Sequence, residues 1–166
     1  MKESYDLAQA VNFMDIAFEE ACLAALEDEI PVGAVVVKEG RVLSRAGNSA
    51  RRAANPTRHA EINAIEQAAK LLANERLTDC DIYVTKEPCA MCAGAIVHAR
   101  IRRVFIGAED LRFGACGTVL SVCGNALLNH VPEINFGVQR EKCSGILSEF
   151  FQKKRLDKKI NDQNDQ

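Results

Sequence analysis

The chain contains no apolar run approaching the roughly 20 residues a membrane span requires, and its opening MKESYDLAQA has none of signal-peptide length. Both absences lead us to expect a cytoplasmic protein that makes no use of a membrane. Neither standard glycine-rich phosphate loop occurs, so nucleoside-triphosphate and dinucleotide chemistry lose their usual signatures. Repeats and low-complexity linkers are missing too, and 166 residues, 48% of them hydrophobic, suit one ordinary domain with a proper core. A disulfide framework is the last absence. The seven cysteines (Cys22, Cys80, Cys89, Cys92, Cys116, Cys123, Cys143) are odd in number and singly scattered, except for Cys89 and Cys92. Reduced thiols are the expectation.

The net charge of −2 advertises no anionic partner, but its distribution is uneven. Residues 1–30 carry one lysine against eight acids, a net of −7, which leaves +5 for the rest. The segment 140–159 is locally basic, with Arg140, Lys142, Lys153, Lys154, Arg155, Lys158 and Lys159 against three acids. Such asymmetry fits a nucleic-acid face, and equally a solvated helix end.

Apolar residues recur at three- and four-residue spacing over 7–28 (Leu7, Ala10, Val11, Met14, Ala17, Phe18, Ala21), which predicts an amphipathic helix with an acidic outer face. IPVGAVVVKEGRVLSRAGN reads as two strands joined by a turn at Glu39-Gly40, the first buried on both faces. A helix follows from near His59 to about Leu72, then a strand over 81–85, a helix from Pro88 to about Arg100, strands over 102–108 and 133–138, and a last amphipathic helix over 141–159. Residues 160–166 have nothing to bury and are expected to be disordered. The alternation points to a layered α/β domain over 1–159 with a mostly parallel sheet.

Chemistry concentrates in KEPCAMCAGAIVHAR, residues 86–100. Two cysteines three apart at a helix start suit a redox pair, half of a structural zinc site, or part of a catalytic one. Side chains at that spacing have β-carbons roughly 5–6 Å apart, and two sulfurs about 2.3 Å from one tetrahedral zinc lie near 3.8 Å from each other. The positive end of the helix dipole favours the thiolates that bind metal. RHAEINA, residues 58–64, shifts the balance. His59 offers an imidazole that a redox pair has no use for. Glu61, two residues on, does not share its helical face and is poorly placed as a fourth ligand. Three protein ligands and one open position describe catalytic zinc. His98 and the remaining cysteines show no paired spacing and read as structural.

Together HAE at 59–61 and PCAMC at 88–92 match the H-x-E…P-C-x-x-C signature of zinc-dependent nucleobase deaminases. Beyond it, EIPVGAVVV (29–37), GNSA (47–50), EPCAMCAGAIVHARI (87–101), FIGAEDLRFGACG (105–117), LNHVPEI (128–134) and CSGILSEFFQKKR (143–155) resemble bacterial tRNA-specific adenosine deaminases from about residue 7 to 155. The resemblance implies a three-layer α/β/α cytidine-deaminase-like fold around a mixed five-stranded sheet. It implies hydrolysis of adenosine to inosine at the wobble position of an arginine tRNA anticodon, with one zinc ion per subunit held by His59, Cys89 and Cys92. A water activated by that zinc would attack C6 of the flipped-out adenine, with Glu61 shuttling protons. It places Asn48 in the base pocket, Asp110 near the nucleotide backbone, and the helix bearing Phe150, Phe151, Lys153, Lys154 and Arg155 beside the anticodon stem-loop. It also implies a homodimer with active sites near the interface. Arg58, Lys86 and Phe113 depart from the family pattern at positions that bear on sequence preference around the target base. A free-base guanine or cytosine deaminase, or a non-catalytic zinc-binding partner subunit, are the alternatives; the latter could dispense with Glu61.

Overall fold

The computed structural model describes residues 6–164. In chain order the elements are α1 (Leu7–Leu26), β1 (Gly33–Lys38), β2 (Arg41–Gly47), α2 (Ala60–Leu72), β3 (Cys80–Lys86), α3 (Ala90–His98), β4 (Arg103–Ala108), β5 (Glu133–Phe136) and α4 (Arg140–Asn164). The strands form one sheet in the order β2-β1-β3-β4-β5.

That sheet is mixed, as the family resemblance implied, and not mostly parallel as the alternation of elements suggested. β1 runs antiparallel to both of its neighbours, whereas β3, β4 and β5 are mutually parallel. The reason lies in the two residues between β1 and β2. Glu39 (φ 51°) and Gly40 (φ 72°) both adopt the left-handed conformation of a type I′ hairpin, which reverses the chain with no helical crossover. α2 then carries the chain over β1 to its far edge, and the two parallel connections that follow are β3-α3-β4, which crosses through a helix, and β4 to β5, which crosses through the 109–132 segment.

Alternation along the strands builds a core on each face. Val35, Val37, Tyr83 and Phe105 pack against Phe13, Met14 and Ala17 of α1 and Cys143 of α4. Ala34, Val36, Ile82, Val84, Val104 and Ile106 pack against Ala60, Ala64 and Ala68 of α2 and Ala93, Ile96 and Val97 of α3. Two helical layers therefore enclose the sheet. α1 comes so close that a Cβ at Gly33 would run into the Ala17 carbonyl.

α4 is longer than its sequence suggested. It continues beyond residue 159 through Asn164, so most of the segment expected to be disordered is helical, and residues 165 and 166 lie outside the described residues. Extending an existing helix avoids the cost of nucleation, so residues 160–162, whose side chains are exposed, can still add to it.

The connectivity also places the functional edge. β2, β3 and β4 point the same way and end side by side at Gly47, Lys86 and Ala108, and α2 and α3 begin at that edge. Carboxyl ends of strands beside helix N-termini are where open α/β sheets bind ligands.

Candidate active site

His59 and Cys89 are the N-cap residues of α2 and α3, with extended backbones (ψ 157° and 175°), and neither side chain caps its helix. The two side chains are thereby free to converge. Cys89 thus stands just before the helix, and Pro88 one position earlier still, with its carbonyl accepting from the Ala115 N–H. Cys92 lies in the first turn of α3 and is buried. His59 Nδ1 lies 3.7 Å from Cys89 Sγ and 3.5 Å from Cys92 Sγ, and all three donor atoms lie within 4.8 Å of one another. A tetrahedral zinc with bonds of about 2.0–2.1 Å to nitrogen and 2.3 Å to sulfur needs donors about 3.5–3.8 Å apart, so the set fits that ion. Among the described residues no fourth histidine, cysteine or acidic group joins it. A soft, three-donor site with one position free suits zinc in a catalytic role.

Electrostatics agree with metal ligation. A hydrogen bond from the Cys92 thiol, reinforced by His59, pulls the Cys89 thiol down to about 3. Cys92 is pushed upward by that same bond and by burial, so without an ion one of the sulfurs keeps its proton. Glu61, in the first turn of α2, is buried beside the cluster and within hydrogen-bonding reach of Cys92. Burial raises the pKa of its carboxyl, against the pull of its own backbone N–H and His59.

His59, Cys89 and Glu61 line a cavity of about 170 Å³, with Cys92 buried behind them. Its walls include Ile30, Asn48, Lys86, Asp110 and Phe113. That is below the roughly 300–1,000 Å³ of a drug-sized ligand site, small enough that a single base ring enters while the rest of a nucleotide stays outside. A second, larger hollow of about 580 Å³ continues from it, sharing Ile30, Lys86, Asp110 and Phe113 and extending to Phe151 and Arg155 of α4.

The residues singled out in the sequence therefore separate. Asn48 lines the cavity, and so does Asp110, but the Asp110 carboxylate pairs with Lys86 and accepts from the backbone N–H groups of Arg112 (2.9 Å) and Phe113 (3.2 Å). Asp110 thus shapes its own loop and neutralises the extra lysine. Arg58 is likewise engaged, by Glu66. Phe113 stands two-thirds exposed where the two hollows meet. On α4, Phe151 and Arg155 face the larger hollow, whereas Phe150, Lys153 and Lys154 turn to the end of α1, where Lys154 pairs with Asp28.

Two buried acids carry no motif of their own in the sequence. Glu87 accepts from the backbone N–H groups of Asp110 (3.0 Å), Cys116 (3.0 Å) and Thr118 (3.1 Å) and so ties the 110–118 loop to the end of β3. Glu29 accepts from Asn48 Nδ2 (3.1 Å) and the Arg52 N–H (2.7 Å). The available signal is an acid at the edge of an otherwise buried motif, EIPVGAVVV or EPCAMC. Cys116 and Cys123, which show no paired spacing along the chain, bring their sulfurs to 3.4 Å in the core below α3.

Comparison with known proteins places this geometry. The MafB19-like deaminase family matches residues 9–155. The tRNA-specific adenosine deaminase of Agrobacterium fabrum is 43% identical over 151 residues, 91% of this chain and 99% of the relative. A solved structure from a study of A-to-I editing by tRNA:A34 deaminases at the wobble position superposes with a TM-score of 0.80 at 43% identity, covering 82% of this chain and 99% of that one. Guanine deaminase from Bacillus subtilis is 41% identical, but over only 59% of this chain and 63% of its own, with a TM-score of 0.57. The MafB19-like deaminase match, and the likeness to tRNA deaminases that runs nearly end to end, show that this chain is an enzyme belonging to the tRNA-specific adenosine deaminases.

Proposed function

We propose that the chain works as a zinc enzyme that converts adenosine to inosine at the wobble position of an arginine tRNA anticodon, as one cytoplasmic deaminase domain over residues 1–159. The observation that carries this reading is the convergence of His59, Cys89 and Cys92 on one ion-sized locus, with Glu61 beside them at the floor of a base-sized cavity. Zinc held there would supply water activated for attack at neutral pH. The reaction adds water and releases ammonia, so one group must move protons between the water and the base. Glu61 takes a proton from the water onto a carboxylate oxygen and delivers it to the ring nitrogen beside C6; it then takes the remaining proton from the oxygen now bonded to C6 and passes it to the amine, which departs as ammonia while the C6–N bond breaks. Its burial supports this, because it brings the protonated and ionised forms closer in energy than they are in water. The cavity walls exclude solvent from the ring, and Asn48 offers it a polar side chain.

A free base needs no more than the inner cavity. The outer hollow, with Arg112, Phe151 and Arg155 on its walls, supports a longer substrate: single-stranded loops are bound by splaying bases against aromatic groups while basic side chains hold phosphates. The partial likeness to the guanine deaminase keeps the free-base reading as the one to test against. A homodimer is supported by exposed apolar side chains clustered over 111–131, among them Leu111, Val119, Leu120, Leu127 and Val131.

The deciding experiment incubates the purified protein with an arginine-tRNA anticodon stem-loop carrying adenosine at the wobble position, beside free adenosine, guanine and cytidine. Inosine formed only in the stem-loop is expected. Product only from a free base overturns the substrate and leaves the metal chemistry standing.

A further inference from the structure

We propose that Glu29 is a positioning residue which decides the hydrogen-bonding face that Asn48 presents to the target base. This rests on the tRNA deaminase reading and adds to it a specificity determinant outside the metal cluster.

Glu29 is placed by the way α1 ends. Asp28 takes the left-handed conformation (φ 61°), its N–H donates to the Ala25 carbonyl, and the Glu29 N–H donates to the Ala24 carbonyl. This is a Schellman turn. It directs the Glu29 side chain inward, where it is fully buried in the cavity wall. Among the described residues no cation pairs with it, and its hydrogen-bond donors are the Asn48 amide and the Arg52 N–H. A buried carboxylate held by two neutral donors is expensive, and an apolar side chain would fill the space at lower cost.

Its chemistry explains why a carboxylate stands there. An ionised carboxylate only accepts, so the Asn48 amide must turn Nδ2 toward it; the orientation follows from valence. The Asn48 backbone is fixed independently, its N–H donating to the Val32 carbonyl at 3.0 Å. Of the amide's hydrogen-bonding capacity, Oδ1 and one N–H are left for a ligand, in a set order. A purine edge alternates donors and acceptors, so the reversed amide would oppose like groups to like. Glu29 acts on the base only through Asn48.

Glu29→Gln tests this with almost no change of shape. The Arg52 N–H claims the new amide's oxygen, its NH₂ then faces residue 48, and Asn48 must flip to accept from it. Binding is measured by fluorescence anisotropy in a Glu61→Ala background, which holds the substrate without consuming it, using stem-loops with adenosine or an abasic site at the wobble position. The parent is expected to prefer adenosine about tenfold or more, the worth of one or two well-made hydrogen bonds. Glu29→Gln should abolish most of that preference, leave the abasic loop's Kd within about twofold, and have no further effect when Asn48→Ala is already present. Glu29→Asp, which keeps the acceptor, should retain part of the preference. The proposal is overturned if Glu29→Gln weakens both loops equally, adds its full effect to Asn48→Ala, keeps the preference, or unfolds the protein. The first and last of these would show that Glu29 merely anchors the loop through Arg52. A parent that does not distinguish adenosine from an abasic site would instead refute the tRNA adenosine reading, and this inference with it.

Discussion

At the scale of single residues, the proposed metal ligands and proton carrier make separable predictions. Glu61 lies outside the three-donor cluster, so Glu61→Ala should leave bound zinc at one per subunit by elemental analysis while lowering kcat by about 10²–10⁴-fold, the usual worth of a general acid–base group. Near-normal turnover would remove Glu61 from the mechanism. Cys92→Ala removes a donor atom itself. Zinc content and activity should then fall together, and retention of a full zinc complement would show that the ion is held elsewhere. These residues are legible in the sequence because their chemistry is local: C-x-x-C and H-x-E each sit within one helix start. Glu29 and Glu87 are not, because what they hold lies far along the chain: Asn48 is 19 residues from Glu29, and Thr118 is 31 from Glu87. No window of sequence shows that a carboxylate's partner is a distant amide.

At the scale of elements, what the sequence leaves open is mostly orientation. Hydrophobic periodicity locates every strand and helix, yet nothing in it fixes whether neighbouring strands run parallel or which side of α4 faces the substrate. The structure answers the second question with two populations of charge. Arg155 lies on the wall of the hollow that continues from the active-site cavity, whereas Lys154 is turned away and paired with Asp28. Arg155→Ala should therefore weaken stem-loop binding and reduce the slope of log K against log salt by about one unit, the change expected when the protein neutralises one phosphate fewer. Lys154→Ala should change the slope by much less. Equal effects would mean that the RNA crosses α4 on both faces. Glu87 makes a different prediction for the loop it anchors. Removing its carboxylate strands three backbone N–H groups, two of them in the buried interior, so Glu87→Ala should cost roughly 3 kcal/mol or more in denaturant unfolding. A cost under about 1 kcal/mol would show that water replaces the acceptor.

At the scale of the whole molecule, both faces of the sheet are covered within one chain, so the apolar side chains left outside ask for a different explanation. They are not scattered evenly. Leu111, Val119, Leu120, Leu127 and Val131 all belong to the segment between β4 and β5, with Leu127 94% exposed, and the same segment carries Phe113 at the rim of the cavity. A second copy of the chain packed there would bury these groups and bring the two cavities near the interface, which is the homodimer that the family resemblance implies. Charged replacements test this directly, because an ion pressed into an apolar interface costs far more than it does in water. Leu120→Asp combined with Leu127→Asp should convert a dimer to a monomer in sedimentation velocity while leaving the far-ultraviolet circular dichroism unchanged, since neither side chain belongs to either core cluster. A double variant that sediments as the wild-type dimer would move the interface to another face. A wild-type protein that sediments as a monomer at micromolar concentration would leave the 111–131 segment to the RNA, where Leu111 and Phe113 already line the outer hollow.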